Sequence, residues 1–198
     1  MKSPVLLSAL FALSLAAMSA ANVSSSPASI VLGGGCFWCV EASFRLQPGV
    51  RQVTCGYAGG TTPHPTYEEV CSHTTGHAEV VRVDYDPSQI SLERLLDFFW
   101  QIHDPTQVGG QGYDAGPQYR SIILYANEEQ RIAAERSRAA AQKDFLKPIV
   151  TEIVPLRQFW PAEEYHQDYF RKNPNAAYCR AVIAPKIEKL KHGAPGAK

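Results

Sequence analysis

The chain has 198 residues, nineteen basic and nineteen acidic side chains, a formal net charge of +0, 45% hydrophobic residues and 10% aromatic residues. This composition supports a packed core and excludes a predominantly disordered chain. The even charge balance, without a long block of one sign, leaves no electrostatic footprint for a nucleic acid or an anionic membrane surface.

In chain order, Lys2 precedes a nearly uncharged run from Val5 to Ala17 and then the small residues Ser19, Ala20 and Ala21. That is the order of a secretory signal, and the run is too short for a comfortable membrane span. Cleavage after Ala21 puts Ala21 and Ser19 at the two positions that demand small residues, whereas cutting after Ala20 would place the bulkier Met18 at one of them. Residues 1–21 therefore read as a signal peptide and residues 22–29 as a Ser-rich flexible leader. Residues 30–198 read as a single domain whose C-terminal segment can move, exported to a periplasmic or extracellular location.

Ile30-Val31-Leu32 predicts a short strand that stops at Gly33-Gly34-Gly35, with a helix over 40–46 behind it. Val50 to Tyr57 and Glu79 to Tyr85 predict strands, the second alternating Val81, Val83 and Tyr85 with Arg82 and Asp84. Ser91 then caps a helix carrying Leu92, Leu95, Leu96, Phe99 and Trp100 on one face, closed by Pro105. The four glycines between Gly109 and Gly116 predict a surface loop feeding a strand from Tyr119 to Tyr125. Asn127 and Gln130 approximate a capping box for a helix to about Asp144. A strand over Val150 to Val154 and a helix from Ala162 to Arg171 follow. Alternating strands and helices argue for an α/β sandwich with helices on a central sheet.

The five cysteines are too few for a disulfide-dense scaffold, and their odd number leaves at least one thiol unpaired in any fully intramolecular scheme. Cys36 follows three glycines and opens a helix, where unpaired backbone N–H groups and the helix dipole favour a thiolate. A buried structural thiol is the plainer reading, but a packed interior gains nothing from the glycines, which let a ligand approach the backbone. The same segment fits neither a dinucleotide loop nor a phosphate loop. Cys36-Phe37-Trp38-Cys39 has the spacing of a redox pair, and Cys71-x-His73 is a poor second ligand pair for zinc, so no metal or cofactor is expected. Phe37 and Trp38 are either core or an aromatic platform for an apolar ligand group. Glu79, at the entry to an otherwise apolar strand, is either a surface carboxylate or, if enclosed near Cys36, a protonated acid.

Gly35-Cys36-Phe37-Trp38, Gly56-Tyr57-Ala58-Gly59-Gly60, Thr75-Gly76-His77-Ala78-Glu79 and Gly116-Pro117-Gln118-Tyr119-Arg120-Ser121 together resemble the peptide methionine sulfoxide reductases of the A type. So do His103-Asp104-Pro105-Thr106 and the late Asn173-Pro174 and Tyr178-Cys179, in the family's order. The resemblance implies a two-layer α/β sandwich, with a ferredoxin-like core and a mixed sheet covered by helices. It implies a monomer without cofactor that reduces methionine S-sulfoxide, free or in proteins, and is recycled by a thioredoxin-like donor, with no stable membrane partner. By position, Cys36 is the nucleophile, Glu79 the acid, Phe37 and Trp38 the pocket for the substrate methyl, Tyr57 and Tyr119 the donors to the sulfoxide oxygen, and Asp114 a support. Cys179 matches a recycling position and is expected to resolve the sulfenic acid. Two features depart from the family's usual pattern: Cys39 stands where many relatives have Gly, and the segment after Cys179 reads helical rather than glycine-rich. A thiol-disulfide oxidoreductase using Cys36 and Cys39 is the alternative reading.

Overall fold

The computed structural model describes residues 28–193, so the expected signal peptide and residues 22–27 of the leader lie outside the described residues. The first strand, β1 (Ala28–Gly33), begins before the expected position. Ala28 and Ser29 pair with Tyr85 and Asp84 and belong to the sheet rather than to a leader. After it come α1 (Phe37–Phe44), β2 (Val50–Ala58), α2 (Tyr67–Cys71), β3 (Ala78–Tyr85) and α3 (Leu92–Phe99). Next are β4 (Gly110–Gln111), β5 (Asp114–Ala115), β6 (Ile122–Tyr125) and α4 (Glu128–Ala141). The last elements of the described residues are β7 (Glu152–Pro155), β8 (Phe159–Pro161), α5 (Tyr169–Lys172) and α6 (Ala184–Lys191).

Six strands form one mixed sheet in the order β7-β6-β1-β3-β2-β8. β6 and β7 run parallel, with α4 as the crossover that parallel strands require, and the other pairs are antiparallel. Strand alternation sends Ile30, Leu32, Val81, Val83 and Ile123 to one face, into the main core under the helices. Val31, Val80, Ile122 and Leu124 go to the other face, where Val154, Leu156 and Phe159 cover them. The same parity puts Glu79 on the helix-covered face beneath α1, which packs on β2 and β3.

The helix expected after Ser91 is α3, with the Ser91 hydroxyl accepting from Arg94 N–H at 3.3 Å. It buries Leu95, Leu96 and Phe99 completely, each worth about 1.5–3 kcal/mol relative to exposure. Asn127 caps α4, and the Trp100 indole donates to Ser137 at 2.8 Å to fasten α4 to α3.

Elsewhere the backbone departs from expectation for identifiable reasons. The glycine-rich loop folds back as the ribbon β4–β5, and Tyr119 ends a 3-10 turn ahead of β6 instead of starting the strand. The helix expected over Ala162 to Arg171 is broken. One turn at Glu164–His166 is followed by Asp168 in a left-handed conformation, φ 56°, before the short α5. Tertiary bonds override helical propensity there. The Gln167 side chain accepts from Cys55 N–H at 2.9 Å and donates to Cys55 C=O at 3.0 Å, as a neighbouring strand would. The Glu41 carboxylate accepts the Asp168 N–H at 2.9 Å.

Candidate active site

Cys36 caps α1 at the end of the turn that leaves β1. Gly35 in that turn has φ +96°, a conformation L side chains rarely adopt, and its N–H donates to the Tyr119 carbonyl at 3.1 Å. A Cβ on Gly34 would lie 2.9 Å from the His103 ring. That ring is fully buried between the Phe99 carbonyl, 2.8 Å from Nδ1, and the Ser121 hydroxyl, 2.7 Å from Nε2. Burial holds His103 down to about 3, so it is a neutral wedge that fixes the glycine turn.

Glu79 lies beneath Cys36. It is 1% exposed, and Oε2 accepts the Phe37 N–H at 3.0 Å. Burial pushes its carboxyl up to about 8 against the opposing effect of that hydrogen bond, with Asp114 and Cys39 adding to the rise. Glu79 is therefore a protonated acid at neutral pH, as the enclosed alternative requires.

Cys36 differs from expectation. Trp38 N–H does point at its sulfur, as a helix N-terminus should, but burial raises the thiol well above its usual value, and Cys39 and Glu79 raise it further. The dipole loses to desolvation, and Cys36 rests as a thiol. Cys39, one turn along α1, interacts directly with Cys36 and titrates below the usual thiol value. The Cys36 contact is the main cause, burial opposes it, and Lys186 and the Tyr178 hydroxyl assist. Tyr178 sits between two acceptors: its hydroxyl donates to Asp114 Oδ2 at 2.7 Å and lies 3.7 Å from Cys39 Sγ. Asp114 thus has a structural partner at the site.

Cys179, expected as the resolving thiol, is fully buried in a π-type turn (Cys179–Ile183) ahead of α6. The thiol that engages Cys36 is Cys39. The side chain of residue 39 does not point away from the nucleophile, because Cβ atoms three residues apart on a helix share a face.

The phenols also redistribute. Tyr119 stands beside the acid and the nucleophile; burial raises its hydroxyl first, then Glu79 and Cys36. Tyr57, cross-strand from Glu79, donates its hydroxyl hydrogen bond to Glu163 Oε2 at 2.9 Å. A further phenol near Glu79 and Tyr119 is Tyr67, which sequence reasoning missed; burial raises its hydroxyl first, then its contact with the Cys71 thiol, then Glu79. Its signal was present: Thr66-x-x-Glu69 is a capping box, and both of its bonds form, placing Tyr67 first in α2. Glu163 then accepts the Tyr67 N–H at 2.9 Å, joining the two tyrosines.

The aromatic platform is built from both ends of the chain. Trp38 stacks on Tyr169 at 3.7 Å and 7°, with Tyr178 edge-on at 6.0 Å. Phe37 is 1% exposed and packs on Tyr57 and His166. His166, also missed, is buried with its ring among Phe37, Trp38, Tyr67 and Tyr165, and burial lowers its basicity. On another side of the thiols a cavity of about 220 Å³ is lined by Cys36, Cys39, Gln111, Asp114, Pro185 and Lys186, among others, but not by Glu79 or Phe37.

A family model described as peptide methionine sulfoxide reductase matches residues 28–196. The peptide methionine sulfoxide reductase MsrA of Nautilia profundicola is 57% identical over 159 residues, covering 80% of this chain and 91% of the relative. Among solved structures, Mxr1 from Saccharomyces cerevisiae in reduced form superposes with a TM-score of 0.74 at 36% identity, over 79% of this chain and 91% of that one. Mxr1 in complex with Trx2 gives 0.54 at 28% identity, over 72% and 86%. Sequence, fold and the placement of Cys36 above a protonated carboxyl agree, and the chain belongs to the peptide methionine sulfoxide reductase family.

Proposed function

We propose that the protein reduces the S epimer of methionine sulfoxide, free or in proteins, with Cys36 as nucleophile and Glu79 as acid. The observation that carries this reading is the buried, protonated Glu79 bonded to the backbone beside the Cys36 thiol. Disulfide exchange does not require such a group, whereas a sulfoxide oxygen must be protonated as its bond to sulfur breaks.

In this reading the sulfoxide oxygen meets Glu79 together with the Tyr67 and Tyr119 hydroxyls, while Trp38 and Phe37 take the methyl group. Glu79 gives its proton to the oxygen as the Cys36 sulfur attacks the substrate sulfur. The S–O bond then passes to Cys36, leaving a thioether and a sulfenic acid. The Cys36 thiol proton restores Glu79, so thiol and sulfoxide become sulfenic acid and thioether without net proton change. Cys39 is the better placed resolving thiol, forming a Cys36–Cys39 disulfide with release of water. A thioredoxin-like dithiol then reduces that disulfide, a role supported by the Mxr1 complex with Trx2.

All of these groups come from one chain, which supports a monomer as the working unit. Lys2, the apolar run to Ala17 and the small residues to Ala21 support export after cleavage. Intact mass of protein from the native host tests this, with a start at Asn22 expected and a retained Met1 in a cytoplasmic fraction overturning it. For the activity, each epimer is incubated with the protein and dithiothreitol. Thioether from the S epimer alone, abolished in Cys36→Ser, is expected; no thioether from either epimer overturns the assignment.

A further inference from the structure

The last described segment of the chain is folded against the two cysteines. After the π-type turn, α6 starts with Pro185 in its first turn and carries Lys186 and Lys189. These three residues line the cavity of about 220 Å³ together with Cys36, Cys39 and Asp114. Lys189 is exposed, while Lys186 is partly buried. Burial lowers the Lys186 ammonium below the usual lysine value, and Cys39, Cys36 and Asp114 work to keep its proton on.

The chemistry of the recycling step gives this arrangement a purpose. A sulfenic acid is resolved by a thiolate, and of the first N–H groups of α1 that of Phe37 serves Glu79 and that of Trp38 serves Cys36, so neither is left for Cys39. The groups that face Cys39 are Cys36 on its own turn, Tyr178, Asp114, Glu79, Cys179 and Lys186. Lys186 is the cation in that set.

We propose that Lys186 is a positioning residue for the recycling half of the reaction, its ammonium in the cavity that both cysteines line holding Cys39 as the thiolate that attacks the Cys36 sulfenic sulfur. This rests on the reading of Cys39 as the resolving thiol. The Cys39 sulfur forms the S–S bond and the S–O bond breaks with its electron pair on oxygen. The leaving hydroxide takes a proton from solvent through the open cavity. Cys39 is oxidised and the sulfenic sulfur is reduced to the disulfide level, the oxidising equivalent having come from the sulfoxide. When a dithiol reductant later attacks Cys36, Cys39 departs as a thiolate, and the same ammonium favours that sulfur as the leaving group.

The test is the pH dependence of iodoacetamide alkylation at Cys39, read by peptide mass spectrometry in a Cys36→Ser background. An opposite charge within about 4–6 Å of a titrating group is worth about one pH unit or more. Lys186→Met should therefore raise the midpoint by about one pH unit, reducing alkylation below the midpoint about tenfold, and Lys186→Arg should restore it. Lys186→Gln repeats the measurement if the Met variant loses its fold by circular dichroism. In parallel, the parent protein is given one equivalent of methionine S-sulfoxide without reductant and its disulfide is mapped. A Cys36–Cys39 bridge with an unmoved midpoint in Lys186→Met and Lys186→Gln overturns the role of Lys186 and leaves Cys39 as the resolving thiol. A Cys36–Cys179 bridge overturns the reading of Cys39, and the proposal with it.

Discussion

The Phe37 N–H donates to Glu79 Oε2 at 3.0 Å, so the acid is tethered to the residue next to the nucleophile. A protonated carboxyl keeps that bond through one oxygen and still has a hydroxyl proton to give. The acid and the nucleophile therefore keep a fixed separation whether or not the proton has been transferred.

Glu79→Gln retains the acceptor for Phe37 and loses the acid, so the single-turnover rate should fall by about 10² to 10⁴. In the parent that rate should decline as pH rises through about 8, where Glu79 loses its proton. Stability carries the same signature. The folded carboxyl titrates at about 8 against 4.5 in the unfolded chain, which therefore binds fewer protons across that window, and stability falls as pH rises through it. Glu79→Gln should match the parent under acid conditions and melt higher above pH 8, at roughly 2–4 °C per kcal/mol gained. A variant with an unchanged rate removes Glu79 from the mechanism.

The tyrosines are separated by where their protons go. Tyr67→Phe and Tyr119→Phe should each slow single turnover roughly tenfold or more, since each leaves the other donor in place; losing a sole donor typically costs about 10²–10³. Tyr57→Phe breaks the bond to Glu163 and should cost about 1 kcal/mol in denaturant unfolding, with the rate within about threefold of the parent. A Tyr57→Phe rate loss larger than that of Tyr67→Phe would return the role to Tyr57.

Much of this site was legible in the sequence. The glycine turn, Cys36 on the helix entry, and the alternation of β3 that turns Glu79 inward all follow from local pattern. The strands β1 to β3 and the helices α3 and α4 also lie close to where periodicity puts them. Long-range contacts hid the rest. Asp168 adopts φ 56° because Glu41 and the Gln167–Cys55 bonds take hold of that segment from the far side of the fold, so an amphipathic stretch that reads as one helix breaks. His166 reaches Phe37 through the same break. The charge order of the thiols was equally invisible, since the dipole at Cys36 is a local effect while the burial that outweighs it, and the Lys186 and Tyr178 that favour Cys39, are tertiary.

Recycling distinguishes the cysteines. Cys39→Ser should complete a first turnover and then stall as a sulfenic acid, trapped by dimedone, with thioredoxin-supported cycling lost. Cys179→Ser should cycle, because its sulfur is fully buried and Cys39 already engages Cys36. Filling that buried site with a hydroxyl should instead lower stability by about 1 kcal/mol or more. Normal cycling in Cys39→Ser with failure in Cys179→Ser would assign the resolving step to Cys179.

The central claim is that Cys36 takes the oxygen from a methionine S-sulfoxide with Glu79 as acid. A reductant-free single turnover with the S epimer, counting thioether formed and thiols lost, tests it most directly. The account predicts one thioether per protein with the loss of two thiols, Cys36 and Cys39, and no thioether from Cys36→Ser. No thioether from the parent protein, or thioether formed with Cys36 still free, would contradict it.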